Sequence, residues 1–285
     1  MGRVRVLRHD YDAIVPAWTE IGDRVFVRRY AFYDQNIGVV LGDGAALVID
    51  TRSTHAQAQE ILDDLRELTR SPVAVVVDTH GHYDHAFGNR VFRPAEIWGH
   101  VDCARLMART GGPARAEFAL NAPELLDDLA AVAVDPPDRT VETSATIEVG
   151  GRAVELRYLG RGHTDNDLVV TVGDADVIFA GDLIEGGAVP SFGDAYPLEW
   201  PATADALAEL VTGTVVPGHG DHAGRRFAQE QAMAIRTLVG LARSVHAGDL
   251  GLDDAVALTP FPQFQREDIR APLERALAQL RGELD

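Results

Sequence analysis

The chain has 285 residues, 46% hydrophobic and 25% charged, which is enough for one large domain or two small ones with a sizeable core. A formal net charge of -18 opposes binding to a nucleic-acid backbone, and no basic run offsets it. No apolar stretch reaches bilayer length, and the lone cysteine, Cys103, excludes an internal disulfide.

Every basic residue is an arginine, so no mechanism here uses a catalytic lysine. The first ten residues contain arginines but no apolar segment after them, so the expectation is a cytoplasmic protein with no membrane association. A reducing compartment also suits the single thiol.

Strand-like runs come first, over residues 24–30, 37–41 and 45–49, with Gly42-Asp43-Gly44 as a hairpin turn between the last two. A helix follows, capped by Ser53 or Thr54, with Ile61, Leu62, Leu65 and Leu68 on one stripe. Residues 73–77 are a continuous β-branched run. At its C-terminal end lies Thr79-His80-Gly81-His82-Tyr83-Asp84-His85. Histidines two apart on an extended segment point the same way, so His80 and His82 can grip one ion. Asp84 and His85 follow at the turn, where they can face a second ion, although Asp84 can also cap the next helix. Burying these polar side chains without partners is expensive, which favours metal binding over a packed core.

The second half gives strands at 146–149 and 154–159 around Gly150-Gly151, then at 168–172 and 177–180 around residues 173–176. Further ligand candidates follow or end apolar runs beside glycines: His163 after 154–159, Asp182 after 177–180, and His219 after 214–216. Helices are predicted over 203–210, 226–242 and 272–284, the last with Pro272 in its first turn. Periodicity alone gives a mixed α/β chain. No linker or internal repeat divides it, so a single domain is expected, with a helical C-terminal extension from about residue 223.

The ordered set His80-x-His82-x-Asp84-His85, His163, Asp182 and His219 resembles the metallo-β-lactamase superfamily. The likeness runs from about Trp18 to Gly220, and Val48-Ile49-Asp50-Thr51 looks like that superfamily's first motif. The resemblance implies a four-layer αββα sandwich with the metal site at one edge of its two sheets. It also implies two ions, one on His80, His82 and His163 and one on Asp84, His85 and His219, with Asp182 bridging. Three imidazoles suit zinc, and the oxygen-richer second site would take zinc, manganese or iron. Such a pair activates a bridging hydroxide, which Asp84 can orient, and stabilises the oxyanion that forms.

Relatives that open β-lactams typically have cysteine or serine where this chain has Asp182. Aspartate there resembles glyoxalase II-type thioesterases, lactonases and phosphodiesterases. The expected function is therefore hydrolysis of a small ester, thioester or lactone, with β-lactamase activity at most secondary. Three alternatives stand beside it: a mononuclear iron persulfide dioxygenase, a phosphodiesterase, and a non-catalytic metal-binding scaffold.

Nearby residues have two readings each. Asp50 either orients a ligand histidine or ends a strand. Tyr83 either packs or lines the cleft, and Thr164 and Asn166 hydrogen-bond within their loop. Phe192, Tyr196 and Trp200, in the loop 184–200, either wall the metals or pack that loop. His222 and Arg225 begin a solvated helix or meet substrate, and a substrate carboxylate would be read by Arg161 or Arg225. His9, His55, His100 and His246 lack a partner pattern, and Cys103 is expected to pack in a helix.

Overall fold

A computed structural model of the protein describes residues 18–109, 123–261 and 266–284. The chain forms two compact units. The first runs as far as Tyr158 and resumes over Leu168–Phe179; the second takes Leu159–Asp167 and the chain from Ala180 onward. The N-terminal decapeptide, with His9, lies outside the described residues.

The first unit is built on a 7-stranded sheet whose spatial order follows the chain. Its strands are β1 (Thr19–Gly22), β2 (Val25–Tyr30), β3 (Gln35–Leu41), β4 (Ala46–Ile49), β5 (Val73–Val77), β6 (Glu96–His100) and β7 (Arg139–Val141). Strands β1 to β4 are antiparallel, as hairpin-linked neighbours must be. From β4 onward the pairing is parallel, because helices cross between the strands. Helix α1 (His55–Leu68) makes the first crossover. Thr54 caps it, accepting from Gln57 N at 3.2 Å. Its Ala58, Ile61 and Leu65 bury against Val39, Val48, Val76 and Ile97 of the sheet. Each of the larger aliphatic side chains, Ile61 and Leu65 among them, contributes about 1.5–3 kcal/mol by leaving water.

The register of β4 with β5 positions the site. Val48 pairs with Val76 and Ile49 with Val77, so both strands end side by side. Asp50 N then donates to Val77 O at 2.9 Å, and Asp50 lies beside the residues that follow β5. The one-turn helix α2 (Tyr83–Ala86) comes next, and His82 rather than Asp84 occupies its cap position. Helices α3 (Val101–Arg109) and α4 (Leu126–Ala131) complete the connections.

The four strands β8 (Ser144–Val149), β9 (Arg152–Tyr158), β10 (Leu168–Val172) and β11 (Val177–Gly181) pair antiparallel in a second sheet. Gly150 and Gly151 turn β8 into β9 with φ of 52° and 80°, which only glycine adopts cheaply in succession. Phe179 of β11 lies so close to Gly38 of β3 that a Cβ there would sit 2.4 Å from its ring.

The second unit contains α5 (Trp200–Leu210), β12 (Thr214–Pro217), β13 (Ala223–Gly224), α6 (Arg225–Ala247), α7 (Leu252–Ala257) and α8 (Arg266–Leu280). Helix α6 outruns its expected end at 242 and stops where Gly248 turns left-handed, φ 83°. Helix α8 begins before Pro272, which lies inside it rather than in its first turn. Strands β1, β6 and β7 were not expected from the sequence: each is short, and none alternates cleanly. Among the described residues no helix is long and apolar enough to cross a membrane.

Candidate metal centre

The first unit brings together His80, His82, Asp84 and His85. His80 Nε2 and His82 Nδ1 face each other at 3.0 Å. Two nitrogens on one tetrahedral zinc are separated by about 3.3 Å, so this pair suits a shared ion. Asp84 Oδ2 lies 3.5 Å from His85 Nε2, forming a second donor pair. His80 and His85 are wholly buried, and Asp84 is nearly so.

Asp50 organises both pairs. Its Oδ1 accepts from Thr79 N at 2.8 Å, and its Oδ2 accepts from Thr79 Oγ1 at 2.9 Å. The same Oδ2 lies 2.8 Å from His85 Nδ1, so that ring N–H donates to it. Thr79 Oγ1, having given its proton to Asp50, accepts from His80 Nδ1 at 3.1 Å. Both imidazoles thus carry their proton on Nδ1 and present Nε2, the tautomer a metal ligand needs. Asp50 follows β4 directly and also bonds His85, so it ends the strand and contacts a candidate ligand at once. Its φ of 64° is costly for a residue with a Cβ, and aspartate tolerates that conformation better than most.

Asp78, just before this segment, is fully buried and takes a 2.7 Å hydrogen bond from Asn89 Nδ2. Burial lifts its carboxyl well above the usual range despite that bond, and the Asp50 charge lifts it further.

The second unit brings together His163, Asp182 and His219. Asp182 Oδ2 lies between the two imidazoles, 3.6 Å from His163 Nε2 and 3.3 Å from His219 Nε2. Ser191 O accepts from His163 Nδ1 at 3.1 Å, fixing that tautomer as well. The His163 loop is held by Asp167, which accepts from Thr164 N and Thr164 Oγ1, each at 2.8 Å. Asn166 N donates to Thr164 Oγ1 at 3.0 Å, the local bonding expected of these residues. The loop 184–200 is clamped by Gln231 of α6, bonded to Glu185 N at 2.8 Å and to Glu185 O at 2.7 Å.

Sequence reasoning missed Thr79, Asp167, Gln231 and the Ser191 carbonyl. A Thr-x-x-Asp spacing over 164–167 was the available signal for one of them. Backbone carbonyls leave no signal at all.

The weaker candidates separate clearly. Tyr83 packs with Phe87, Leu129 and Val132, and its hydroxyl donates to Tyr33 Oη at 2.6 Å. Burial, and then the neighbouring Asp84 charge, hold its phenol far above the usual range. Trp200 is fully buried, 5.8 Å from the His163 ring and 4.7 Å from Phe192, and donates to Leu183 O at 3.2 Å. Both aromatics back the ligand loop. His222 and Arg225 are exposed, and Arg225 opens α6. His100 belongs to neither donor set: it bonds Glu142 O and Asp102 N, each at 3.2 Å, and stacks on Tyr158. Cys103 is buried against Met107, as expected of a packing residue.

Imidazole pairs with outer nitrogens fixed, beside carboxylates and without any lysine, are donors that fit a zinc-class cation. Fold and donors define a metal-dependent hydrolase. The profile of the metallo-β-lactamase superfamily matches residues 31–219, and the chain belongs to that superfamily.

Among its relatives, a metallo-β-lactamase type 2 from Bacteroides fragilis is 22% identical, covering 78% of this chain and 86% of that protein. A hydroxyacylglutathione hydrolase from Synechococcus sp. (strain JA-2-3B'a(2-13)) is 26% identical over 56% of this chain and 54% of its own length. The solved metallo-β-lactamase from Pontibacter korlensis superposes with a TM-score of 0.64 at 21% identity, covering 77% of this chain and 98% of its own. The fold class expected from the sequence is therefore the one found.

Proposed function

We propose that the protein is a dinuclear zinc hydrolase acting on a small ester, thioester or lactone. His80, His82 and His163 would hold one ion, and Asp84, His85 and His219 the other, with Asp182 shared between them. The observation carrying this reading is Asp182 Oδ2, which lies 3.6 Å from His163 Nε2 and 3.3 Å from His219 Nε2. A carboxylate oxygen within reach of donors from both sets supports a reading in which Asp182 would be shared by two cations. Zinc suits the imidazole-rich set, while manganese or iron would be accepted by the other.

When bound, the ions supply a water acidified towards neutral pH and stabilise negative charge on the attacked carbonyl oxygen. The chain's own residues do the rest. The Asp50–Thr79 relay keeps His80 and His85 in the ligating tautomer, and Ser191 O does so for His163. Asp84 is the candidate for orienting the water, which makes a serine or cysteine nucleophile unnecessary.

The relative named as a β-lactamase matches more of the chain than the hydroxyacylglutathione hydrolase does, 78% against 56%. Asp182 is the reason to rank β-lactam opening second. The test is elemental analysis of protein purified without added metal or chelator, followed by a panel of thioesters, lactones and a β-lactam. About two zinc ions per chain, with thioester or lactone turnover leading, is the expected result. A β-lactam leading the panel would overturn the substrate class. One iron per chain with oxygen uptake would replace hydrolysis by sulfur oxygenation, and a fully metallated but inert sample would sink catalysis altogether.

A further inference from the structure

Arg161 lies two residues before His163, on the loop that carries this candidate ligand. Its guanidinium stacks over the Tyr196 ring, 4.6 Å from the centroid. The loop is tied to the segment beneath it: Tyr196 N donates to Gly162 O at 2.9 Å, and Thr203 Oγ1 donates to Arg161 O at 2.6 Å. The backbone carrying Arg161 is therefore fixed while its side chain is exposed. In a chain with 44 acidic residues against 26 arginines, many exposed arginines find a carboxylate, Arg24, Arg66, Arg139, Arg226 and Arg270 among them. Arg161 does not: among the described residues no ion pair reaches it, and Asp165 nearby is bonded to Asn166 Nδ2 instead. A second guanidinium, Arg275 of α8, reaches the same segment and donates to Ala195 O at 2.9 Å. Near Tyr196 these two cations are set against Asp165 and Asp194, and burial raises the phenol above its usual value, so it stays a neutral donor.

A stacked guanidinium keeps its in-plane N–H fork free, and that fork matches a carboxylate in two parallel bonds. We propose that Arg161, held on Tyr196, is a specificity-determining residue that reads a carboxylate on the substrate. The reaction it serves is the hydrolysis proposed above: water's oxygen bonds the acyl carbon, the C–S or C–O bond breaks, and the leaving group departs with a proton. The preference for an anionic substrate is a property of binding and is tested as binding.

The probes are 3-mercaptopropionate and its neutral amide, titrated calorimetrically into zinc-loaded protein, since a thiol anchors on zinc while the tail reports on Arg161. Wild type should prefer the carboxylate by about tenfold or more. Arg161→Gln should bring that ratio close to one without changing bound zinc, and Arg161→Lys should restore part of it. Tyr196→Leu, removing the stacking surface, should fall between wild type and Arg161→Gln. Equal affinity for both probes in wild type, or a preference that survives Arg161→Gln, would overturn the assignment. Turnover of acetyl thioesters of the same two thiols is scored separately. Failure there with the binding preference intact removes the hydrolase reading and leaves this one standing.

Discussion

Asp50 Oδ2 lies 2.8 Å from His85 Nδ1 and also receives the Thr79 hydroxyl at 2.9 Å, so one carboxylate sets the tautomer of two candidate ligands. Asp50→Asn is the informative change, because asparagine also tolerates a positive φ and can still accept from Thr79 N. Its amide cannot accept from two donors at the Oδ2 position. Zinc affinity should fall by about 10–100-fold with the fold retained, read by competition with a chelator beside a thermal melt. An unchanged zinc affinity would reduce Asp50 to a strand-end residue.

His100 provides the contrast with the ligands. It is buried, bonded to Glu142 O, and stacked on Tyr158 at 4.3 Å. His100→Ala should lower stability by about 1–3 kcal/mol while bound metal per folded chain stays at the wild-type value. Asp182→Ala or His80→Ala should lose metal and turnover together. If His100→Ala lost metal as Asp182→Ala does, the division of histidines would be wrong.

The contrast between these histidines also marks how far the sequence could be read. His80, His82, Asp84 and His85 were legible because a strand end repeats side chains every second residue, and a core does not gather such groups without a purpose. His163, Asp182 and His219 were legible through their glycine-flanked strand ends. Asp50 stayed ambiguous because its role depends on the parallel register of β4 with β5, a pairing between segments far apart in the chain. Strand β6 hid behind a mixed sequence, Glu96–His100, whose burial comes from its place between β5 and β7 in the sheet rather than from its own pattern. The extra turn of α6 beyond residue 242 depended on where Gly248 would turn left-handed, and residues 243–247, with no glycine or proline, gave no earlier stop.

Packing between β3 and β11 yields a test independent of metal. A Cβ at Gly38 would lie 2.4 Å from Phe179 Cε1 and 2.8 Å from Cζ, so the ring must move. Gly38→Ala should cost about 1–3 kcal/mol in denaturant melts. Adding Phe179→Leu should recover part of that loss, giving a favourable coupling of about 0.5 kcal/mol or more in a double-mutant cycle. Strict additivity of the two changes would mean that this contact does not set the spacing.

The last prediction concerns acid. Arg93 donates through Nε to Asp135 Oδ2 at 2.8 Å and through Nη1 to Asp138 Oδ2 at 2.6 Å, while Asp138 Oδ1 accepts from Ile97 N at 3.0 Å. Burial alone would raise the Asp138 carboxyl, but the Arg93 bond and charge and the Ile97 amide outweigh it and hold the carboxyl below its usual value. A carboxylate depressed in the folded state stabilises the protein above its unfolded pKa, about 3.9, and loses that contribution as pH falls through the lower folded value. Asp138 is 49% exposed, so the contribution at neutral pH is below about 1 kcal/mol. Asp138→Asn keeps an acceptor for Ile97 N but removes the charge and the Oδ2 acceptor that Arg93 Nη1 uses. Urea melts at pH 7 and pH 3 should therefore show wild type ahead of Asp138→Asn at the higher pH, with the gap narrowing at the lower. A gap that widens in acid would reverse the sign and assign the stabilisation to the neutral carboxyl instead.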